Sequence, residues 1–266
     1  MNHKTEGDDE GSSRQITLTA LPDIPLIQRG DDLAAIILRG LSDAQIKLED
    51  GDVLVLAQKI VSKAEGRMVR LRDVAPTPRA EELARESGKD ARFCEVVLWD
   101  AREIVRVRDG LIIVETKQGW VCANAGIDHS NVAPRDGKEY VLRLPEDADR
   151  SARELRERLR AETAREVGII VNDTHGRAWR NGAIGIAIGG AGLPAVEDLR
   201  GREDLFGYHL QVTTLGTADQ IASAASLVQG QADEGTPIVH VRGFIATRRD
   251  GMAREIVRDK EHDLFR

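Results

Sequence analysis

Two hydrophobic periods alternate along the chain. Residues 52–57 (DVLVLA), directly behind Gly51, run apolar after Asp52, the pattern of a buried strand, and residues 168–171 and 238–241 read as further strands. The 3.6-residue period predicts helices elsewhere. Residues 33–38 read as one, with Asp31 or Asp32 placed to cap it. Residues 76–90 read as a second, with Ala80, Leu83 and Ala84 on its apolar face. Residues 151–167 carry Leu155 and Leu159 at i, i+4 and stop at Gly168, and residues 217–229 have Thr217 as N-cap and Gly230 just past the end. If residues 58–66 are helical, Ser62 and Lys63 lie within one turn of each other. Residues 95–98 and 103–107 read as strands. Asp109-Gly110 between residues 104–107 and 111–114 predicts a hairpin with a type I′ turn, which a strand near residues 120–123 extends into a meander. Pro22 and Pro25 keep residues 21–25 extended, so order begins near Ile16. Strands and helices mix without strict βαβ alternation and without an internal repeat, which predicts an α+β fold with mixed and antiparallel sheets.

Composition narrows the classes. The 266 residues suffice for one or two domains with their own core. No apolar run reaches the ~18 residues of a membrane span. Residues 1–14 are polar and acidic, with no secretory h-region, and read as a disordered tail. Cys94 and Cys122 are too few for a disulfide framework or a four-thiolate zinc site, which suggests reduced thiols in a cytoplasmic protein. A net charge of −7 argues against nucleic acid as the main partner, because neutralising phosphates needs a basic field. A nucleotide needs only a few local cations or a metal ion.

Three polar clusters follow or flank the apolar runs: residues 58–63, 124–131 (NAGIDHSN) and 172–177 (NDTHGR). Asp128, Asp173 and Thr174 are hard oxygen donors suited to Mg²⁺ or Mn²⁺, and Lys63 is a point charge for a phosphate. Together they point to metal-assisted phosphoryl chemistry. The same residue types are ordinary turn and cap formers, so both readings stand for any one cluster. His129 and His175 lack Cys partners and zinc spacing, and Cys122 has only small apolar neighbours in sequence. Trp179, between Arg177 and Arg180, reads as a packing residue. Gly190-x-Gly192-x-x-Ala195 matches a dinucleotide-binding pattern, but Pro194 interrupts it and no acidic residue stands about 20 residues on. Close packing of small residues is the better account of residues 182–192.

Several motifs in order resemble the coenzyme F-420-0:L-glutamate ligases, the γ-glutamyl ligases of deazaflavin coenzyme biosynthesis. They are Leu21-Pro22-Asp23-Ile24; residues 51–55 through 61–66; residues 122–128 with Ser130-Asn131; Asn172-Asp173-Thr174-x-Gly176-Arg177-x-Trp179-Arg180; residues 187–192; and Ala218-Asp219 with Ala222, Ala224 and Ala225 ahead of Pro237 and Arg242-Gly243. The likeness covers residues 16–247. It implies a two-part α+β fold specific to the family, with residues 16–75 and 167–250 holding nucleotide and metal, residues 76–166 inserted as a second part, and residues 1–15 outside. It also implies a homodimer.

The implied reaction uses GTP to phosphorylate the terminal carboxylate of F-420-0. The amine of L-glutamate attacks that acyl phosphate, and further glutamates follow through γ-linkages. Divalent Mg or Mn is implied, with a monovalent cation such as potassium as an additional ion. By the resemblance, Asp128, Asp173, Thr174 and Gln231 hold the metal, and Lys63, Asp128 and Asp173 are the catalytic set. GTP would contact Leu21, Pro22, Asp23, Ile24, Gln58, Lys63 and Asn131, and the loop of Gln229, Gly230, Gln231, Ala232, Asp233, Glu234, Gly235 and Thr236 would close on it. The chain departs from its relatives at Gln58, where some carry a hydroxyl, at the neutral Gln231, where many carry Glu, and at Ile184-Gly185, where some carry Thr-Asp. Two other readings stand beside this one: a non-catalytic nucleotide or dinucleotide binder built on residues 182–192, and a related metal-dependent ligase for another small carboxylic acid.

Overall fold

Burying one apolar run against the next requires that each strand's backbone find partners, and the central sheet shows how. The computed structural model describes residues 14–132, 140–244 and 249–264. In chain order its elements are β1 (Thr17–Ala20), α1 (Leu33–Asp43), β2 (Val53–Ala57), α2 (Gln58–Ala64), β3 (Met68–Arg70), α3 (Pro78–Ser87), α4 (Ala91–Asp100), β4 (Ala101–Arg108), β5 (Leu111–Thr116) and β6 (Val121–Ala123). They continue with β7 (Tyr140–Leu142), α5 (Ala148–Thr163), β8 (Gly168–Arg177), β9 (Arg180–Ala191), β10 (Glu197–Asp198), β11 (Thr214–Leu215), α6 (Thr217–Gln229) and β12 (Ile238–Arg242). The main sheet has the order β1-β12-β2-β8-β9, and the smaller sheets are β4-β5-β6, β3-β7 and β10-β11. Only β2 and β8 pair in parallel, in the register Ala57↔Asn172; the other pairs are antiparallel. The fold is α+β with mixed sheets, as the pattern predicts.

Hydrophobic burial falls into two clusters. One collects β2, β8, β9 and β12 with α1, α5 and α6, around Leu54, Leu56, Ile169, Ile170 and Ile238. The other lies between α3, α4, β5 and β7, around Leu83, Phe93, Val96, Ile112 and Val141. Asp32 caps α1 by accepting from the Ala34 and Ala35 amides, and Ala80 and Leu83 are fully buried as expected. The small residues of β9 let α5 and α6 approach closely: a Cβ on Gly189 would meet Ala148, and one on Gly185 would meet Ser226 and Ala222. β9 runs through residues 190 and 191, and no helix opens there, so the dinucleotide-binding pattern has no structural counterpart.

Several local expectations are corrected. Residues 95–98 lie inside α4, not in a strand. The buried set Phe93, Cys94, Val96 and Val97 has helical spacing, and Asp90 caps the first turn through the Arg92 amide. A four-residue apolar run is compatible with both periods, and the cap decides. In the β4–β5 hairpin only Gly110 has positive φ (77°), so the turn is not type I′, which needs both central residues there. Residues 172–177 are not a loop: β8 continues through them, paired with β9, and Trp179 sits at the turn with φ 65° and 87% exposure rather than packing. Gly216, not Thr217, occupies the N-cap of α6, and the Thr217 hydroxyl is buried without a hydrogen-bond partner. Of the expected tail, residues 1–13 lie outside the described residues.

α5 ends at Thr163, before Gly168. The exposed Ala164 closes it in the left-handed conformation (φ 56°), its amide bonding the Arg160 carbonyl. That geometry strains a Cβ, so Ala164→Gly should stabilise the protein by about 0.5–1 kcal/mol in urea denaturation. A loss of stability would show that the left-handed cap is not formed.

Candidate functional site

Parallel pairing of β2 and β8 brings their C-terminal ends side by side, and the polar clusters begin there. In open sheets with parallel strands, ligands bind outside the carboxyl ends. Gln58 opens α2 directly after β2, and Asp173 follows Asn172, the register partner of Ala57. The second cluster reaches the same edge from β6. Asn124, Ala125 and Gly126 all adopt positive φ, which turns the chain sharply, and Asp128 then bridges to Leu142.

Asp128 is strongly perturbed. Burial pushes its carboxyl up to about 6; nearby Asp173 pushes the same way, while Lys59 opposes. Its Oδ2 accepts a 2.6 Å hydrogen bond from the Gln58 amide, which is itself held by the Ser62 hydroxyl at 2.8 Å. Its Oδ1 lies 3.4 Å from the Lys59 ammonium, which also donates to Ser130 at 3.1 Å. Asp173 Oδ2 is 2.8 Å from His175 Nε2. The Lys63 ammonium, half-buried one turn beyond Lys59, makes no hydrogen bond or ion pair among the described residues, and burial lowers its pKa.

The loop after α6 ties these pieces together. The Thr174 hydroxyl donates to Gln231 Oε1 at 3.0 Å, and the Asn131 amide donates to the Ala232 carbonyl at 2.8 Å. Asn131 (φ 57°), Gly230 (φ 68°) and Gly235 (φ 70°) make the turns. Glu234 folds back onto the Ala232 amide at 2.7 Å, so backbone donors hold its carboxyl below the usual range. Thr236 donates to the Gln229 carbonyl. Beneath the loop, Gln229 accepts from Asn172 at 2.6 Å and donates to the Val55 and Pro237 carbonyls, which joins α6 to both parallel strands. The Asn172 Oδ1 is buried without a partner. Leu21 is fully buried and its amide bonds the Ile238 carbonyl, beside the loop's end; Asp23 takes φ 52°. No hydrogen bond links Pro22, Asp23 or Ile24 to the carboxylates among the described residues.

Asp128, Asp173, Thr174, Gln231, Asn131 and Gln58 therefore meet at one edge. Sequence reasoning overlooked Lys59 and undervalued His175, which faces Asp173 and not a second metal-type ligand. The i, i+4 spacing of Lys59 and Lys63 on α2 was the available signal for the first. His129 stacks on Phe93 with ring centroids 4.9 Å apart. The Cys122 thiol is pushed up to about 12, mainly by burial and then by Asp173, which disfavours the thiolate a nucleophile needs. Among the described residues no group of three or more His, Cys, Asp or Glu side chains is arranged to hold a metal ion. The two carboxylates fit one hard cation: the nearby Asp173 disfavours ionisation of Asp128, and a divalent ion would relieve that, with the Thr174 and Gln231 oxygens alongside.

Two neighbouring carboxylates, two lysines one turn apart on α2 and a glycine-hinged loop share this edge of an α+β fold, and the comparisons with known proteins give the class. The chain belongs to the F420-0:Gamma-glutamyl ligase family, whose model matches residues 23–243. It is 44% identical over 253 residues to the Coenzyme F420:L-glutamate ligase of Methanothermobacter thermautotrophicus, covering 94% of this chain and 99% of that one. Against the proteins of the same name from Methanopyrus kandleri and Archaeoglobus fulgidus, identity is 48% and 43%, with 90% and 91% of this chain and 93% of each relative covered. No helix among the described residues is long and apolar enough to cross a membrane.

Proposed function

We propose that this enzyme joins L-glutamate to coenzyme F420-0 at the expense of GTP, through an acyl phosphate, and then extends the product through γ-linkages. The observation that carries the reading is the meeting of Asp128 and Asp173 beside Lys59 and the unpartnered Lys63 at the end of β2 and β8. A carboxylate accepts an amine poorly until one oxygen becomes a good leaving group, and phosphorylation supplies that. Lys63 is suited to hold the transferred phosphoryl group, because a desolvated ammonium attracts phosphate oxygens more strongly than a hydrated one. Asp128, Asp173, Thr174 and Gln231 would hold Mg²⁺ or Mn²⁺, which supplies charge neutralisation when bound. Asn131 and residues 229–236 would close over the nucleotide, and residues 21–24 would flank the guanine.

The reading extends to a homodimer in the cytoplasm. Leu205 (97% exposed), Phe206 (95%) and Val212 (84%) project from the β10–β11 arm, an apolar surface that a second copy would cover.

The test incubates the protein with F420-0, L-glutamate, GTP and Mg²⁺ or Mn²⁺ and follows phosphate release and product mass. Glutamylated products and phosphate release that requires both F420-0 and glutamate are expected. NAD binding without GTP consumption would favour the non-catalytic alternative instead, and turnover only with another carboxylic acid would move the assignment to a related ligase.

A further inference from the structure

An arginine-rich cavity lies at the other end of α2 from Gln58. It is open, holds about 410 Å³, and is lined by Arg67, Arg143, Asp100, Trp99, Arg102 and Lys117 among others. Its charge is unbalanced. Asp100 accepts from Arg143 Nε at 2.7 Å and Nη2 at 2.5 Å, and Arg67 Nη2 stands 3.7 Å from the same carboxylate. Two guanidiniums thus share one carboxylate, all three at most 19% exposed. Arg67 donates one hydrogen bond, from Nε to the Leu144 carbonyl at 2.9 Å, out of the five a guanidinium can make. Burial and the neighbouring Arg143 both weaken its hold on its proton. At the rim Glu146 stands 3.8 Å from Arg150, Asp147 is 3.7 Å from Arg254, which also lines the cavity, and Arg102 pairs with Glu115; Lys117 is left over.

Two further features make the cavity a receptor rather than a structural ion pair alone. The Lys117 amide bonds the Asp100 carbonyl, which holds the hairpin turn beside the arginines. The exposed Lys117 ammonium has no ion pair or hydrogen bond among the described residues. Trp99 forms a wall, with the Arg143 guanidinium 5.5 Å from its ring centroid and its indole N–H fixed on Glu95 at 3.0 Å. Guanidinium forks match the paired oxygens of carboxylates and phosphates, so a second anion would meet both the surplus charge and the idle donors.

We propose that this cavity binds a small multivalent anion, carrying two or more carboxylates or phosphates on a compact frame, at a site separate from the Asp128–Asp173 edge. The proposal does not depend on the ligase reading.

Calorimetric titration of the whole, metal-free protein at low salt tests it, with citrate and pyrophosphate as probes. Saturable binding of either is expected; citrate the tighter identifies a carboxylate ligand, and pyrophosphate the tighter a phosphate one. Lys117→Glu should weaken binding about tenfold without disturbing the fold, since that side chain is exposed and unpartnered, and Arg67→Gln should weaken it further. Lys63→Ala should leave it unchanged. Absence of binding by both probes overturns the proposal, as does binding that survives Lys117→Glu but disappears in Lys63→Ala.

Discussion

Asp128→Ala and Asp173→Ala should each reduce glutamate- and F420-0-dependent phosphate release by about 10³-fold or more, with far-UV circular dichroism unchanged, because the proposed phosphoryl-transfer site would lose its main charge compensation. Retention of more than a tenth of the wild-type rate in either variant would remove that residue from the catalytic set. Asp128→Asn separates chemistry from stability. The ordinary carboxyl value of 3.8 rises to about 6 in the folded protein, so the folded state binds the proton more tightly than the unfolded chain. Stability on this account is greatest below pH ~4, falls as pH rises from there through about 6, and stays reduced above it. The displacement corresponds to about 3 kcal/mol against the ionised form at neutral pH. With the side chain 26% exposed and an amide still to solvate, a gain of about 1 kcal/mol is the realistic expectation for Asp128→Asn. An inactive variant that melts a few degrees higher at pH 7, with the difference vanishing near pH 4, is the predicted result. Equal destabilisation at both pH values would contradict it.

That carboxylate pair shows what the sequence discloses and what it hides. Asp128 and Asp173 stand out because hard ligands follow apolar strands, and loops at strand ends are where ligand chemistry collects. Their meeting depends on the parallel register of β2 with β8 and on a left-handed turn at Asn124 and Ala125, neither of which leaves a local mark. The links from Thr174 to Gln231 and from Asn131 to Ala232 join residues 57 and 101 positions apart. Lys59 is an unremarkable surface lysine until the fold sets it against a carboxylate 69 positions on, and His175 is a turn residue until β8 extends through it. The errors in secondary structure share one origin. Residues 95–98 and Gly168 were read from local propensity, while the structure follows the Asp90 cap in one case and a strained Ala164 in the other. The long regular segments, α5 and α6 and the apolar strands, were legible because burial on one face repeats many times within each.

Gly189→Ala is expected to be the most destabilising single-methyl change in β9, costing at least about 3 kcal/mol in urea denaturation. A Cβ there would stand 2.4 Å from the Ala148 carbonyl oxygen and 2.5 Å from its carbon, and backbone at the start of a helix cannot rotate away as a side chain would. Nor can α5 retreat. The buried Asp149 carboxylate accepts 2.8 Å hydrogen bonds from the Gly190 and Ala253 amides, so the first turn of the helix is stitched to β9 and to the C-terminal segment. Moving the helix would break those bonds and leave a buried carboxylate under-satisfied. Gly182→Ala is the control. Gly182 lies near the hairpin turn with φ 83° and open space around its Cβ position, so only left-handed strain of about 1–2 kcal/mol opposes the methyl group. A Gly189→Ala cost no larger than that of Gly182→Ala would mean that α5 does not press on β9. The same strand carries Gly185 against Asn172, next to Asp173, so the close packing that resists a methyl at Gly189 also fixes the height of the carboxylate edge above the sheet. Activity of the surviving folded fraction of Gly189→Ala should therefore fall with stability, whereas Gly182→Ala should keep full turnover.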